Sequence, residues 1–184
     1  MKNPAYACDL AFLGNKLPES EERVYEFFIR VAEKMPDKKF LLGGNGWGSV
    51  KLPRNIRFTG HVDASDHNAF YSSPGMILNI SRRDLADYGF SPATRVFEAA
   101  GVGACIITDH WEGIEKFFAP GIEILVASDG DIVMTLLESI TDAQKDRIGH
   151  ASLEKVLAEH TYERRAMQVS DILLNGVKIE SILR

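Results

Sequence analysis

Short apolar runs alternate with amphipathic segments along this chain, and that alternation limits the folds open to it more than any other feature. Residues 8–13, 39–42, 56–59, 76–80, 104–108 and 122–127 read as strands, apolar nearly throughout. Between and after them, 19–34, 65–72, 92–101, 111–118, 129–140, 142–159 and 162–174 carry apolar residues at helical spacing. Strands without a polar face, separated by helices, imply an α/β fold: a parallel sheet of about six strands, covered by helices on both faces and closed by C-terminal helices. With 184 residues and 45% hydrophobic content, one domain spanning 1–184 can bury a real core. Ligands of such sheets sit outside the carboxyl ends of the strands. The loops that matter are therefore 14–16, 43–48, 60–63, 81–92 and 108–113.

The stretch from Ser91 to Cys105 reads as a short helix running into a buried strand, and the helix sorts its residues by face. At about 100° per residue, Ser91, Thr94, Arg95 and Glu98 share one arc, while Val96, Phe97, Ala99 and Ala100 fill the opposite one. Ser91 suits an N-cap, and Pro92 suits the first turn, where a missing N–H costs nothing. The amides of Ala93, Thr94 and Arg95 are then unpaired donors at the positive end of the helix dipole, a place for phosphate. One turn on, Glu98 can accept hydrogen bonds from two neighbouring hydroxyls, such as those of a ribose. Phosphate at the helix start and sugar one turn further describe a nucleotide site. A plainer arrangement uses the same residues, an Arg95–Glu98 surface ion pair worth roughly a few tenths of a kcal/mol.

A net charge of −5 with no basic stripe argues against a nucleic-acid partner. The longest apolar runs are too short to span a bilayer, and no charged-then-apolar signal pattern opens the chain, so a cytoplasmic location is expected. Cys8 and Cys105 fall in expected buried strands and fit reduced core thiols. The histidines at 61, 67, 110, 150 and 160 lack ligand spacing, so neither a metal nor a cofactor is expected. No Gly-x-Ser-x-Gly elbow offers a nucleophile.

Other motifs carry less. Gly43-Gly44-Asn45-Gly46-Trp47-Gly48 fails the P-loop pattern, because Ser49 stands where the lysine belongs, and fails the dinucleotide fingerprint. It reads as a mobile loop over the site or as a plain turn. Asp129-Gly130-Asp131 precedes a helix, where acidic residues cap and complement the dipole rather than hold a metal. Gly14 lets backbone approach a ligand closely and Lys16 can meet a phosphate, or the two form an ordinary turn with a solvated lysine. Gly60 and His61, at another strand end, can face a base or sugar. Of the adjacent Arg82 and Arg83, at most one is expected to point into a cleft.

Several landmarks then fall in a characteristic order: Asp9-Leu10-Ala11-Phe12-Leu13-Gly14-Asn15, Ile56-Arg57-Phe58-Thr59-Gly60-His61-Val62, Arg95-Val96-Phe97-Glu98-Ala99, Gly113-Ile114-Glu115-Lys116-Phe117-Phe118, Gly121-Ile122-Glu123-Ile124 and His160-Thr161-Tyr162-Glu163-Arg164-Arg165. With them, residues 9–174 resemble the C-terminal, donor-binding half of two-domain GT-B glycosyltransferases. The likeness is to the group-1 glycosyl transferase-like family that includes spore-maturation-type proteins. The resemblance implies a Rossmann-like fold that binds a nucleotide-diphosphate sugar, with Glu98 on the ribose hydroxyls. It implies that Ser91, Thr94 and Arg95 cradle the diphosphate, that Gly14 approaches phosphate, and that no bound metal is needed.

Two departures stand out. Many relatives carry a second glutamate eight residues before the ribose-binding one, where this chain has Phe90; Asp84 or Asp87 could substitute from the same loop. The chain also lacks the N-terminal acceptor domain of such enzymes and reads as an isolated donor-binding half, inactive alone, with any general base in the other half. The expected function is donor binding in the transfer of a sugar to an acceptor hydroxyl. The alternatives are a non-catalytic nucleotide-sugar-binding or scaffold domain, which Phe90 favours, and a Rossmann-type oxidoreductase domain, which the absent fingerprint disfavours.

Overall fold

Six strands lie parallel in one sheet, in the order β3-β2-β1-β4-β5-β6. They are β1 (Leu10–Leu13), β2 (Phe40–Gly43), β3 (Ile56–Gly60), β4 (Met76–Asn79), β5 (Ile106–Asp109) and β6 (Leu125–Ala127). The computed structural model describes residues 2–175, apart from the side chains of Glu19, Arg83, Asp84, Leu85 and Asn175. The chain builds outward from β1 through β2 to β3, then returns to lay β4 on the other side of β1. Connections after β1 and β4 therefore leave in opposite directions, which opens a crevice at their carboxyl ends.

Strand residues alternate between two cores. Leu10, Phe12, Phe40, Leu42, Met76, Leu78 and Ile107 pack on one face, against Val31 and Val133. Ala11, Leu41, Ile77 and Ile106 pack on the other, against Phe70, Val96 and Ala99. Full burial of each large apolar side chain stabilises by about 1.5–3 kcal/mol as an upper bound. This two-sided burial is what the unbroken apolar runs encode. Only β3, at an edge, departs, with Arg57 and Phe58 exposed.

Helix α1 covers 21–34, in which the π-helical Tyr25–Ile29 joins the α-helical Glu21–Val24 and Arg30–Lys34. The others are α2 (His67–Ser72), α3 (Arg83–Tyr88), α4 (Thr94–Ala100), α5 (Gly130–Ser139), α6 (Asp142–Glu159) and α7 (Tyr162–Asn175). Helix α3 lies within what the sequence reads as a loop. The helix expected over 111–118 reduces to one 3-10 turn, Ile114–Lys116. Trp111, Ile114 and Phe118 are buried by tertiary packing at positions that imitate a helical stripe, while Gly113, at φ 87°, breaks the helix path.

Candidate functional site

The loops after β1 and β2 are fastened together. Gly14 N–H donates to the Gly43 carbonyl at 3.0 Å, Lys16 N–H to Asn45 at 2.8 Å, and Gly44 N–H to Gly60 at 2.7 Å. Asn45 N–H donates to Asn15 Oδ1 at 2.8 Å, and the buried Trp47 donates its indole Nε1–H to the Gly14 carbonyl at 2.7 Å. Gly44 sits at φ 116°, where a methyl group would overlap the Gly14 carbonyl. Of the two readings left open by the sequence, a mobile loop over the site and a plain turn, these bonds fit a segment tied to the β1 loop, and its Gly44 and Asn45 face the cleft.

That cleft has a volume of about 330 Å³. Gly14 and Asn15 follow β1, His61 and Val62 follow β3, His67 and Tyr71 come from α2, and Thr94, Arg95 and Glu98 from α4. Helix α4 buries Val96, Ala99 and Ala100 against the sheet, so period 3.6 turns Thr94 and Glu98 outward. The structure therefore gathers Glu98, Arg95, Thr94, Gly14 and His61. Ser91, Lys16 and Gly60 do not line the cleft. Lys16 is ion-paired with Glu21 at 2.8 Å, and Gly60 contributes its carbonyl to the Gly44 bond.

Ser91 is not the N-cap. Helix α4 begins at Thr94, and Ala93 caps it without a side-chain hydrogen bond. The cause lies just upstream. Phe90 adopts φ 50°, donates its N–H to the Glu112 carbonyl at 2.7 Å and lays its ring against Gly113. The loop is thereby pinned, and Pro92 falls outside the helix. The side chains of Arg83 and Asp84, both weighed from sequence, lie outside the described residues; Asp87 and Arg82 are exposed.

Glu98 is half-exposed and does not pair with Arg95. Its Oε2 accepts from the Tyr71 hydroxyl at 3.3 Å, and His67 Nδ1 lies 3.8 Å away. Burial, then the Glu98 charge, push the Tyr71 phenol well above its ordinary value, so it stays a hydrogen-bond donor. Arg95 lies over the Phe12 ring at 5.4 Å. Desolvation pulls its guanidinium below the usual arginine value, opposed by Tyr71, Glu98 and Asp109. His61, largely exposed, is 3.5 Å from Asp63.

Sequence reasoning missed Asp109, which is fully buried at the end of β5 and ion-paired with Arg23 of α1. The two are 86 residues apart, and the packing of α1 against the sheet brings them together. An acidic residue closing an apolar strand was the available signal. Asp129 does cap α5, accepting from Ile132 N–H at 2.9 Å. Burial pushes the thiols of Cys8 and Cys105 up to about 12, which keeps them protonated and unreactive. Among the described residues, no group of three or more His, Cys, Asp or Glu side chains could hold a metal, and no helix is long and apolar enough to cross a membrane.

The family described as glycosyl transferase-like matches residues 21–171. The chain belongs to this family. No curated protein gives a significant match. Among solved structures, HepE of Anabaena in complex with UDP-glucose superposes with a TM-score of 0.71 at 11% identity, covering 91% of this chain and 48% of that one. Sucrose-phosphate synthase of Thermosynechococcus elongatus gives 0.72 at 16% identity, covering 93% and 46%. The C-terminal domain of a group 1 family glycosyl transferase, LpcC of Francisella tularensis, gives 0.63 at 13%, covering 85% and 87%. At these identities the likeness concerns the fold. The chain spans about half the length of HepE and the synthase, and nearly the length of the isolated LpcC domain.

Proposed function

We propose that this chain is the donor-binding unit of a glycosyltransferase, which holds a nucleotide-diphosphate sugar while the sugar's anomeric carbon passes to an acceptor hydroxyl. The observation that carries the reading is Glu98, a half-exposed carboxylate held by Tyr71 on the wall of a cleft at the switch point of the sheet. A carboxylate placed one turn into a helix suits the paired hydroxyls of a ribose. Arg95 takes the diphosphate, together with Thr94 and Gly14. His61 lies toward the base or sugar. HepE, whose fold this chain shares, is seen with UDP-glucose, which supports a uridine donor as the first to try.

As the bond to the departing diphosphate breaks, the charge gathering on its oxygen is met by Arg95 and backbone amides, without a bound metal. Transfer needs an acceptor-binding domain as well, since the chain spans about half of the enzymes it matches. We place the protein in the cytoplasm. A second reading, a binding domain that has lost transfer, draws on Phe90, where an aromatic ring stands in place of a sugar-binding carboxylate.

Thermal unfolding against UDP, GDP, ADP, CDP and NAD tests the assignment. At about 100 times the dissociation constant, one diphosphate is expected to stabilise by about 2.7 kcal/mol, and Glu98→Ala to abolish that shift at little cost to the unliganded fold. Stabilisation by NAD alone, or an undiminished shift in Glu98→Ala, would overturn it.

A further inference from the structure

Arg95 is held differently from Arg23 and Arg30. Arg30 is taken up by Glu26 at 2.7 Å and Asp131 at 2.9 Å, and Arg23 is ion-paired with the buried Asp109. Among the described residues, no carboxylate, carbonyl or hydroxyl bonds the Arg95 guanidinium, and its Nη1 is buried without a partner. What the guanidinium meets is a ring, with its Cζ lying over Phe12 at 5.4 Å from the centroid. A buried cation whose N–H groups find no acceptor is costly, and an anion in the cleft removes that cost.

The core places the ring. Phe12 is buried on β1 and packs on Phe28 at 5.9 Å between centroids, and Phe28 meets Phe40 edge-on at 5.6 Å. Gly14 lies directly against the ring, since a methyl group there would come within 2.7 Å of Phe12 Cζ. Gly14 and Arg95 both line the cleft, so the ring underlies it. Helix α4 packs through Val96 and Ala99 on one face of the sheet, whereas Phe12 belongs to the core on the other. The Arg95 side chain therefore reaches across the carboxyl end of β1 to its ring. An aromatic face attracts a cation without supplying an oxygen. A carboxylate in its place would occupy the N–H groups and cancel the charge.

We propose that Phe12 is a positioning residue: its buried ring fixes the Arg95 guanidinium at the cleft by a cation–π contact and leaves the N–H groups to the diphosphate of the nucleotide sugar. This rests on the donor-site reading above. Without the ring, the arginine keeps its charge but loses its fixed direction, and part of the binding free energy goes into ordering it again. The ribose side of the cleft is built from Glu98, Tyr71 and His67, so Phe12 acts on anion affinity and not on ribose recognition.

Calorimetric titration with inorganic pyrophosphate and with UDP, well below the unfolding temperature, tests the proposal. The proteins compared are this chain, Phe12→Leu, Arg95→Met, the double variant of these two, and Glu98→Ala. Phe12→Leu is expected to weaken both ligands about three- to tenfold. In the Arg95→Met background the same substitution is expected to change UDP affinity little or not at all, because the ring then has no guanidinium to hold. Glu98→Ala is expected to weaken UDP while leaving pyrophosphate unchanged. A merely structural Phe12 would lower the melting temperature and act alike in both backgrounds. Unchanged affinity in folded Phe12→Leu, or an equal loss with and without Arg95, overturns the proposal and leaves the donor reading intact. Should Phe12→Leu not fold, Phe12→Met decides by the same criterion. If the unsubstituted chain binds neither UDP nor pyrophosphate, the donor-site reading fails and this proposal with it.

Discussion

Gly44 and Gly149 are glycines for the same steric reason and serve different ends. A methyl group on Gly44 would overlap the carbonyl of Gly14, and one on Gly149 the carbonyl of Gly103. Backbone cannot swing aside as a flexible side chain can. Gly149 lies buried in α6, against the turn that leads into β5, far along the chain from the cleft. Gly149→Ala is therefore expected to cost about 1–3 kcal/mol in spite of the better helix propensity of alanine, and to lower the melting temperature by about 2–4 °C per kcal/mol. Its nucleotide affinity should match that of the unsubstituted chain. Gly44→Ala adds strain at φ 116° and prises the β1 and β2 loops apart at the cleft wall, so it should lose nucleotide affinity as well. Melting curves and titrations of the two variants side by side check the distinction; equal affinity losses would refute it.

At the scale of elements, helix α4 and the 43–48 loop show what can and cannot be read from sequence. The face of α4 was legible because its period is local: Val96, Ala99 and Ala100 go in, and Thr94 and Glu98 come out. Its start was not, because Phe90 is pinned by Glu112, a partner in a later loop. The strands were legible from their apolar runs, whereas α3 was hidden in a polar stretch without periodic apolar residues. The sequence left the loop open between a mobile cover and a plain turn because glycine reports freedom in isolation, and nothing local reveals that the buried Trp47 bonds to Gly14, 33 residues away. Asp109 and Arg23 escaped for the same reason, since their pairing depends on how α1 packs against the sheet. Trp47→Phe keeps most of the buried area but leaves the Gly14 carbonyl without its donor. It is expected to destabilise by about 1–3 kcal/mol in chemical denaturation and to speed proteolysis within the 43–48 loop. Unaltered stability and proteolysis would mean that the backbone bonds alone fasten the loop.

Across the whole molecule, one imidazole ties the C-terminal helices to the helix that carries Glu98. His160 ends α6; Arg165 of α7 donates from Nη2 to its Nδ1 at 2.8 Å, so the ring must carry its proton on Nε2, which donates to the Phe117 carbonyl at 3.0 Å. Phe97 of α4, Phe117 and Phe118 surround the ring. Burial, reinforced by the charge of Arg165 and partly offset by the Phe117 bond and Glu159, holds the imidazole below its ordinary value of 6.5. A histidine depressed in the folded state binds its proton more readily when unfolded, so its contribution is complete above about pH 6.5 and is lost as the pH falls from there toward the folded value. The depressed carboxylates Asp129, Asp142 and Glu159 act in a separate, lower window, below their ordinary values of 3.8 and 4.5. Between about pH 7.5 and about pH 5.5, the unsubstituted chain is therefore expected to lose more stability than His160→Gln, which keeps a polar group at the junction but cannot take up the proton. Melting temperatures at the two pH values check this, and parallel losses in both proteins would show that α6, α7 and α4 are joined by their apolar contacts alone.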